Sequence, residues 1–350
     1  MGSDIAGKIS GRAASSAKYR MIMVCLVILL IGIFFLSLTV GRYSIPFFDS
    51  IAILLARVFP IEPAWTQTME AVIFNLRLPR TIAAVLIGGG LALSGAAYQS
   101  MFKNPLVSPD LLGVSSGACI GASLAILYSM GPVIIQIWAF IGGIIAVSIT
   151  VAVPRLMHNS STLMLVLSGV IVGGLMSSIM GVIKYTADAD TALAEMVYWA
   201  MGSLADVKMI DLYYIAPCIL AAGFVLLLFR YRLNVLSLGE EEAKTLGVDV
   251  RNVRRIIIVC ATLLTASAVC LAGTIGWVGL VIPHLGRMLV GPDNRKLLPA
   301  AVILGAVFMV MIDITARCLT SAELPLSIIT GLIGAPFYFY LLIRQRASIT

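Results

Sequence analysis

The sequence predicts an all-α polytopic membrane protein with ten transmembrane helices. Three observations carry that prediction. Of 350 residues, 60% are hydrophobic and 12% charged, with mean hydropathy +1.03; soluble domains carry roughly 45–50% apolar and about 25% charged residues. The apolar residues gather into blocks of about 20, the length a helix needs to cross hydrocarbon. The Lys and Arg residues divide unevenly between the intervening loops, as the positive-inside rule requires. A water-soluble globular fold and a disordered chain are both excluded.

The first block, residues 21–40, follows a basic segment (1–20) holding Lys8, Arg12, Lys18 and Arg20. It exceeds the roughly 7–15 residues of a signal-peptide core, so it reads as a span with its N-terminus inside. Further spans fall at 80–100, 133–153, 163–183, 212–229, 255–272, 297–316 and 326–343. Two shorter stretches, 111–128 and 278–290, make sense as half-length or tilted helices shielded by neighbours. In this arrangement 17 of the 24 Lys and Arg lie in inside loops. Arg42, Arg57, Arg77, Arg80, Lys184, Lys208 and Arg317 are the outside exceptions. Both termini are then cytoplasmic. The net charge of +7 is dispersed among apolar blocks, which argues against nucleic acid as a partner. The six Cys form no C-x-x-C and read as small hydrophobes in helices.

An internal repeat pairs helices 2–5 with helices 7–10. Gly95 is followed ten residues later by Pro105, and Gly273 by Pro283; Ser168-Gly169-Val170-Ile171 echoes Thr330-Gly331-Leu332-Ile333. Five crossings separate the copies, an odd number, so they are inverted across the membrane. Inverted repeats with short, Gly/Pro-broken helices are typical of transport proteins. Gly117 with Gly121, Gly169 with Gly173 and Gly331 with Ala335 provide small-residue faces for close packing.

The chemistry of an enzyme is largely missing. There is no phosphate-binding G-x-x-x-x-G-K-[ST] and no H-E-x-x-H. Gly113 to Gly117 match G-x-S-x-G, but the two histidines, His158 and His284, fall at predicted membrane edges. Ser115 or Ser116 is therefore expected to cap a helix rather than serve as a nucleophile. The spans hold one clear acid, Asp313, with Arg317 one turn on to pair with it. A proton- or sodium-coupled carrier would want unpaired acids. That leaves an ion-coupled secondary transporter as the alternative to a pathway powered from elsewhere.

Residues 237–252 read as a helical hairpin inside. Ser237 and Glu240 have capping-box spacing. Glu240, Glu241 and Glu242 suit a first turn, and Gly247 a helix end. Asp249 could cap a second helix through Arg251, Arg254 and Arg255. The segment is either a docking element or a solvated turn.

The chain resembles the FecCD family, permease subunits of type II ATP-binding-cassette importers for iron-siderophores, haem and cobalamin. The resemblance rests on Arg77-Leu78-Pro79-Arg80, Asn104-Pro105-Leu106, the stretch from Leu111 to Ala118, and Leu238-Gly239-Glu240 with Ala243 and Leu246-Gly247. It continues through Gly276 to His284 with Arg287, Asp313, Ala316-Arg317, Glu323-Leu324-Pro325, Gly331 and Gly334-Ala335-Pro336.

The resemblance implies a cobalamin-importer-permease-like fold in the cytoplasmic (inner) membrane of a bacterium or archaeon. It implies a homodimer or pseudo-dimer of permeases, two ATP-binding-cassette ATPase subunits and a periplasmic or lipid-anchored binding protein. It implies no cofactor on this chain, with ATP-Mg held by the partner subunit. Arg77, Arg80 and Arg317 are then expected to dock the binding protein. Leu238, Gly239, Glu240, Ala243, Leu246 and Gly247 would dock the ATPase, Ser161 and Thr162 would form the cytoplasmic gate, and Gly169, Gly173, Gly331 and Gly334 would line the path. The region 186–208, with Trp199 and Gly202-Ser203, is expected to hold an entrance helix.

Overall fold

The computed structural model describes residues 2–157, 161–320 and 322–347; His158 lies outside them. Long apolar runs become α1 (Gly2–Thr39), α4 (Leu78–Met101), α6 (Pro132–Leu156), α7 (Thr162–Thr186), α9 (Met209–Leu228), α12 (Val250–Ala272) and α14 (Asn294–Leu319). Each includes a stretch long and apolar enough to cross a membrane; in α1 it is Ser16–Thr39. The half-length helices are α5 (Val114–Leu127) and α13 (Val278–Val290). With α15 (Leu326–Ala347) they are the three shorter apolar helices beside the seven long ones among the described residues. The short elements are α2 (Phe47–Leu55), α3 (Gln67–Ala71), α8 (Ala192–Met201), α10 (Arg230–Leu238) and α11 (Glu240–Thr245). Helix α8 falls in the region expected to carry an entrance helix. A π-turn over Val72–Arg77 joins α3 to α4, which the sequence did not announce.

Packing repeats the inverted order. Central helix α4 packs on α14 and α13, and its counterpart α12 packs on α6 and α5. Likewise α5 contacts α6 and α7, as α13 contacts α14 and α15. In lipid there is little hydrophobic drive between helices, so close approach of small residues supplies the attraction. Gly88 of α4 lies against the backbone of Gly305 in α14, and Gly95 against Gly279 of α13, leaving no room for a Cβ. Each half-length helix follows an irregular turn: Pro109–Leu112 ending at Gly113 (φ +83°) before α5, and Gly273 (φ +69°) to Trp277 (φ +71°) before α13.

Two capping expectations fail. Ser237 lies inside α10, its hydroxyl donating to the Asn234 carbonyl at 2.7 Å, because the helix continues to Leu238 and breaks only at Gly239. Gly113 takes the N-cap position of α5 without a side-chain cap; Ser115 instead donates to the Asp110 carboxylate. The expectations at Gly247 (φ +77°) and at Asp249, which accepts from the Asn252 amide at 3.1 Å, hold.

Candidate functional site

At the end of the bundle carrying α11, the sequence brings distant residues together. Ser161 caps α7, its hydroxyl oxygen accepting from the Met164 amide at 3.3 Å. The next residue, Thr162, donates from Oγ1 to Glu240 Oε1 of α11 at 3.1 Å. Arg254 of α12 closes the triangle. Its Nη2 donates to Thr162 Oγ1 at 3.2 Å and pairs with the Glu240 carboxylate. A charge-assisted contact of this kind is roughly twice as strong as a neutral one. The expected docking residues divide by exposure: Leu238 and Leu246 are exposed, as is Gly247. Gly239 and Ala243 are buried and shape the hairpin from within. From the sequence Arg254 is expected only as an inside charge on the helix that Asp249 caps, and its tie to Glu240 and Thr162 carries no local signal.

The glycines expected to line a path have different surroundings. Gly169 lies against the Leu111 carbonyl, in the turn before α5. A Cβ at Gly334 would come within 2.7 Å of the Trp277 side chain, in the turn before α13, and Gly331 faces the same indole at 3.6 Å. Each of α7 and α15 thus seats the irregular turn of its own repeat on a glycine. Gly173 faces open space. The outward sides of the two helices expose Leu167, Val170, Ile171 and Leu175 on α7, and Leu332, Ile333, Phe339 and Tyr340 on α15.

At the opposite end, Arg77, Arg80 and Arg317 lie close together, only 5–7% exposed. Arg77 donates to the carbonyls of Leu38 at 2.6 Å, Thr39 at 2.9 Å and Tyr43. Arg80 donates from Nε to Asp313 Oδ1 at 2.6 Å and pairs through Nη1 with Glu323 at 2.8 Å. Arg317 pairs with Asp313 at 3.1 Å, as its helical spacing predicts, and donates to Ser37 Oγ at 2.7 Å. The guanidinium groups therefore turn inward, onto carbonyls and carboxylates of their own chain. Burying such charges is tolerable only with partners of this quality. Asp313 is fully buried, and Glu323 is the partly exposed member, with 27% of its side chain accessible. Three cations face two carboxylates, leaving one positive charge uncompensated within the cluster.

Among the described residues no group of three or more His, Cys, Asp or Glu is placed to hold a metal ion. The His284 ring packs edge-on against Tyr338. Residues 26–344 match the model of the FecCD transport family. The chain is similar to the molybdate import system permease protein MolB of Haemophilus influenzae, 39% identical over 331 residues, spanning 94% of this chain and 97% of that one. It is also similar to the cobalamin import system permease protein BtuC of Halobacterium salinarum, 40% identical over 296 residues, 84% and 79% of the two chains. A solved structure described as an inward-facing conformation of a metal-chelate type ABC transporter matches with TM-score 0.82 and 38% identity, covering 93% of this chain and 99% of that one. With the helix order, the inverted packing and this match over most of its length, the chain belongs to the FecCD transport family and is a non-catalytic permease subunit of an ATP-binding-cassette importer.

Proposed function

We propose that the permease admits a chelated cargo from a binding protein and releases it inside the cell by alternating access, with ATP hydrolysed on separate subunits. The observation that carries this reading is the Glu240–Arg254–Thr162 triangle. It ties the exposed hairpin of α11 directly to the first residue of α7. A displacement of Leu238, Leu246 and Gly247 by a docked ATPase then tilts the foot of α7 without passing through lipid. Ser161 and Thr162, small and hydroxylated, form the gate at that foot.

The hairpin end is cytoplasmic in this reading, with both termini on the same side of the inner membrane. Support comes from the concentration of Lys and Arg there. The exposed apolar faces of α7 and α15 suit a second permease copy, with the path running between the two, past Gly173 and Gly331, while Gly169 and Gly334 shape its wall from behind. ATP-Mg belongs to the ATPase subunits. At the outer end, Arg77, Arg80 and Arg317 serve docking of the binding protein by fixing the rim and leaving it one net positive charge. Such charge favours orientation and on-rate for an acidic partner.

The cargo proposed is an iron chelate (ferric siderophore or haem) or cobalamin. Molybdate is a second reading, favoured by the similarity to MolB over 97% of that protein's length. The test is reconstitution of the permease with its ATPase and binding protein in proteoliposomes, offering ferric siderophore, haem, cobalamin and molybdate in turn. ATP-dependent uptake of one of these supports the reading. Uptake driven by an ion gradient without ATPase subunits overturns it.

A further inference from the structure

A cavity of about 490 Å³ opens at the hairpin end between α6, α7, α11 and α12. Its lining changes with depth. Three helices each contribute a polar residue at their end and an apolar one four positions further into the bundle: Arg155 and Val151 on α6, Ser161 and Leu165 on α7, Arg254 and Ile258 on α12. Lys244, Arg251 and Arg255 add positive charge at the mouth, against the single acid Glu240. Two of the cations are occupied: Arg254 pairs with Glu240, and Lys244 with Glu241 at 2.7 Å. Arg155, Arg251 and Arg255 have no carboxylate partner among the described residues. Three guanidinium charges thus surround a space whose floor is aliphatic.

That gradient is the gradient of an amphiphile. A guanidinium fork matches phosphate oxygens geometrically as well as electrically, and basic pockets between membrane helices at the cytoplasmic surface suit anionic lipid headgroups. A free phosphate would satisfy the mouth but make no use of the apolar lining of Val151, Leu165 and Ile258. We propose that the cavity holds the headgroup of an anionic phospholipid, its phosphate among Arg155, Arg251 and Arg255 and its glycerol and first acyl carbons on the aliphatic floor. The headgroup then lies beside the Glu240–Arg254 pair, so an anionic lipid braces the link between hairpin and gate.

The level of the site rests on the orientation proposed above. The test reads lipid retention without nucleotide or cargo, so its failure is distinct from a failure of the transport reading. The full permease is placed in nanodiscs of phosphatidylcholine with a minor fraction of phosphatidylglycerol, then delipidated stepwise and weighed by native mass spectrometry. The expected result is phosphatidylglycerol retained on each chain after phosphatidylcholine has gone. In R155Q/R251Q/R255Q this retention falls at least about tenfold, since each cation near the surface contributes roughly 1 kcal/mol. In R155K/R251K/R255K it is largely kept, which separates lost charge from lost folding. Equal retention in the wild type and the Gln variant overturns the proposal, as does retention without preference for phosphatidylglycerol. Stoichiometric inorganic phosphate bound in place of lipid overturns it in favour of a soluble anion. Loss of the retained lipid when the ATPase subunits bind overturns it in favour of acidic side chains of that partner.

Discussion

Thr162 and Glu240 stand 78 positions apart in the chain, yet the threonine hydroxyl donates to the glutamate carboxylate at 3.1 Å. One belongs to the foot of a membrane-crossing helix, the other to a six-residue helix outside the bundle. Arg254 holds both. The arrangement makes α7 and α11 one mechanical unit, and it makes Arg254 the residue on which that unit depends.

Replacing Arg254 by Gln keeps a donor but removes the charge. Hydrogen bonds to charged groups contribute about 1.5–3 kcal/mol. Cargo uptake in proteoliposomes is therefore expected to fall about tenfold or more, while ATP hydrolysis by the assembled complex continues. Thr162→Val should act in the same direction with a smaller effect. Uptake and hydrolysis falling in parallel in R254Q would indicate lost assembly, not lost transmission.

The Arg80–Asp313 contact joins residues 233 apart at 2.6 Å. Without Arg80 the fully buried Asp313 keeps only Arg317 as a partner, and Glu323 loses its ion pair. Because Arg317 still compensates Asp313, Arg80→Ala is expected to cost less than the roughly 3–5 kcal/mol of a fully uncompensated buried charge, read as a lowered thermal midpoint in detergent. Replacing Arg80, Asp313 and Arg317 together by apolar residues of similar size should recover much of that loss. Binding-protein affinity in that triple variant then reports the electrostatic part of docking separately from folding.

Partial burial pushes the Asp293 carboxyl up. Hydrogen bonds from the Arg295 and Asn234 side chains and the Arg295 amide, with the Arg295 charge, outweigh it and hold the group at about 2. The folded value lies below the ordinary carboxylate range of about 3.9, so the stabilisation is present above that range and lost as pH falls toward 2. The side chain is 29% exposed, so the contribution is below about 1 kcal/mol. Asp293→Asn should flatten thermal stability against pH between about 4 and 2, leaving the profile above it unchanged.

The spans were legible because each is a run of apolar residues whose length the bilayer dictates, and α13 begins and ends where its pattern does. Local signals carried the turn at Gly247 and the cap at Asp249. The capping box at Ser237 misled because its spacing also fits the last turn of a preceding helix, and nothing local says that α10 continues to Leu238. The inward aim of Arg80 was not readable: its partners are 233 and 243 positions away, and such pairings exist only once the repeats have packed. Arg254 was hidden for the same reason. Its spacing from Glu240 crosses a turn whose geometry only the folded hairpin fixes.

Trp277 holds φ at +71°, where a bulky side chain costs of order 1–3 kcal/mol. Its indole is kept there by the groove at Gly331 and Gly334, where any Cβ at position 334 meets it at 2.7 Å. Gly334→Ala must move Trp277, and with it the turn that starts α13, at an expected cost of about 1–3 kcal/mol. Gly173→Ala on α7 has open space and a gain in helix propensity of up to about 1 kcal/mol, so its stability should be unchanged or raised. Thermal midpoints of the two variants, measured side by side, check this. Uptake separates the roles further. If Gly173 lines the path, Gly173→Leu narrows it and slows transport without lowering the midpoint, whereas Gly334→Leu lowers both because Trp277 has nowhere else to sit.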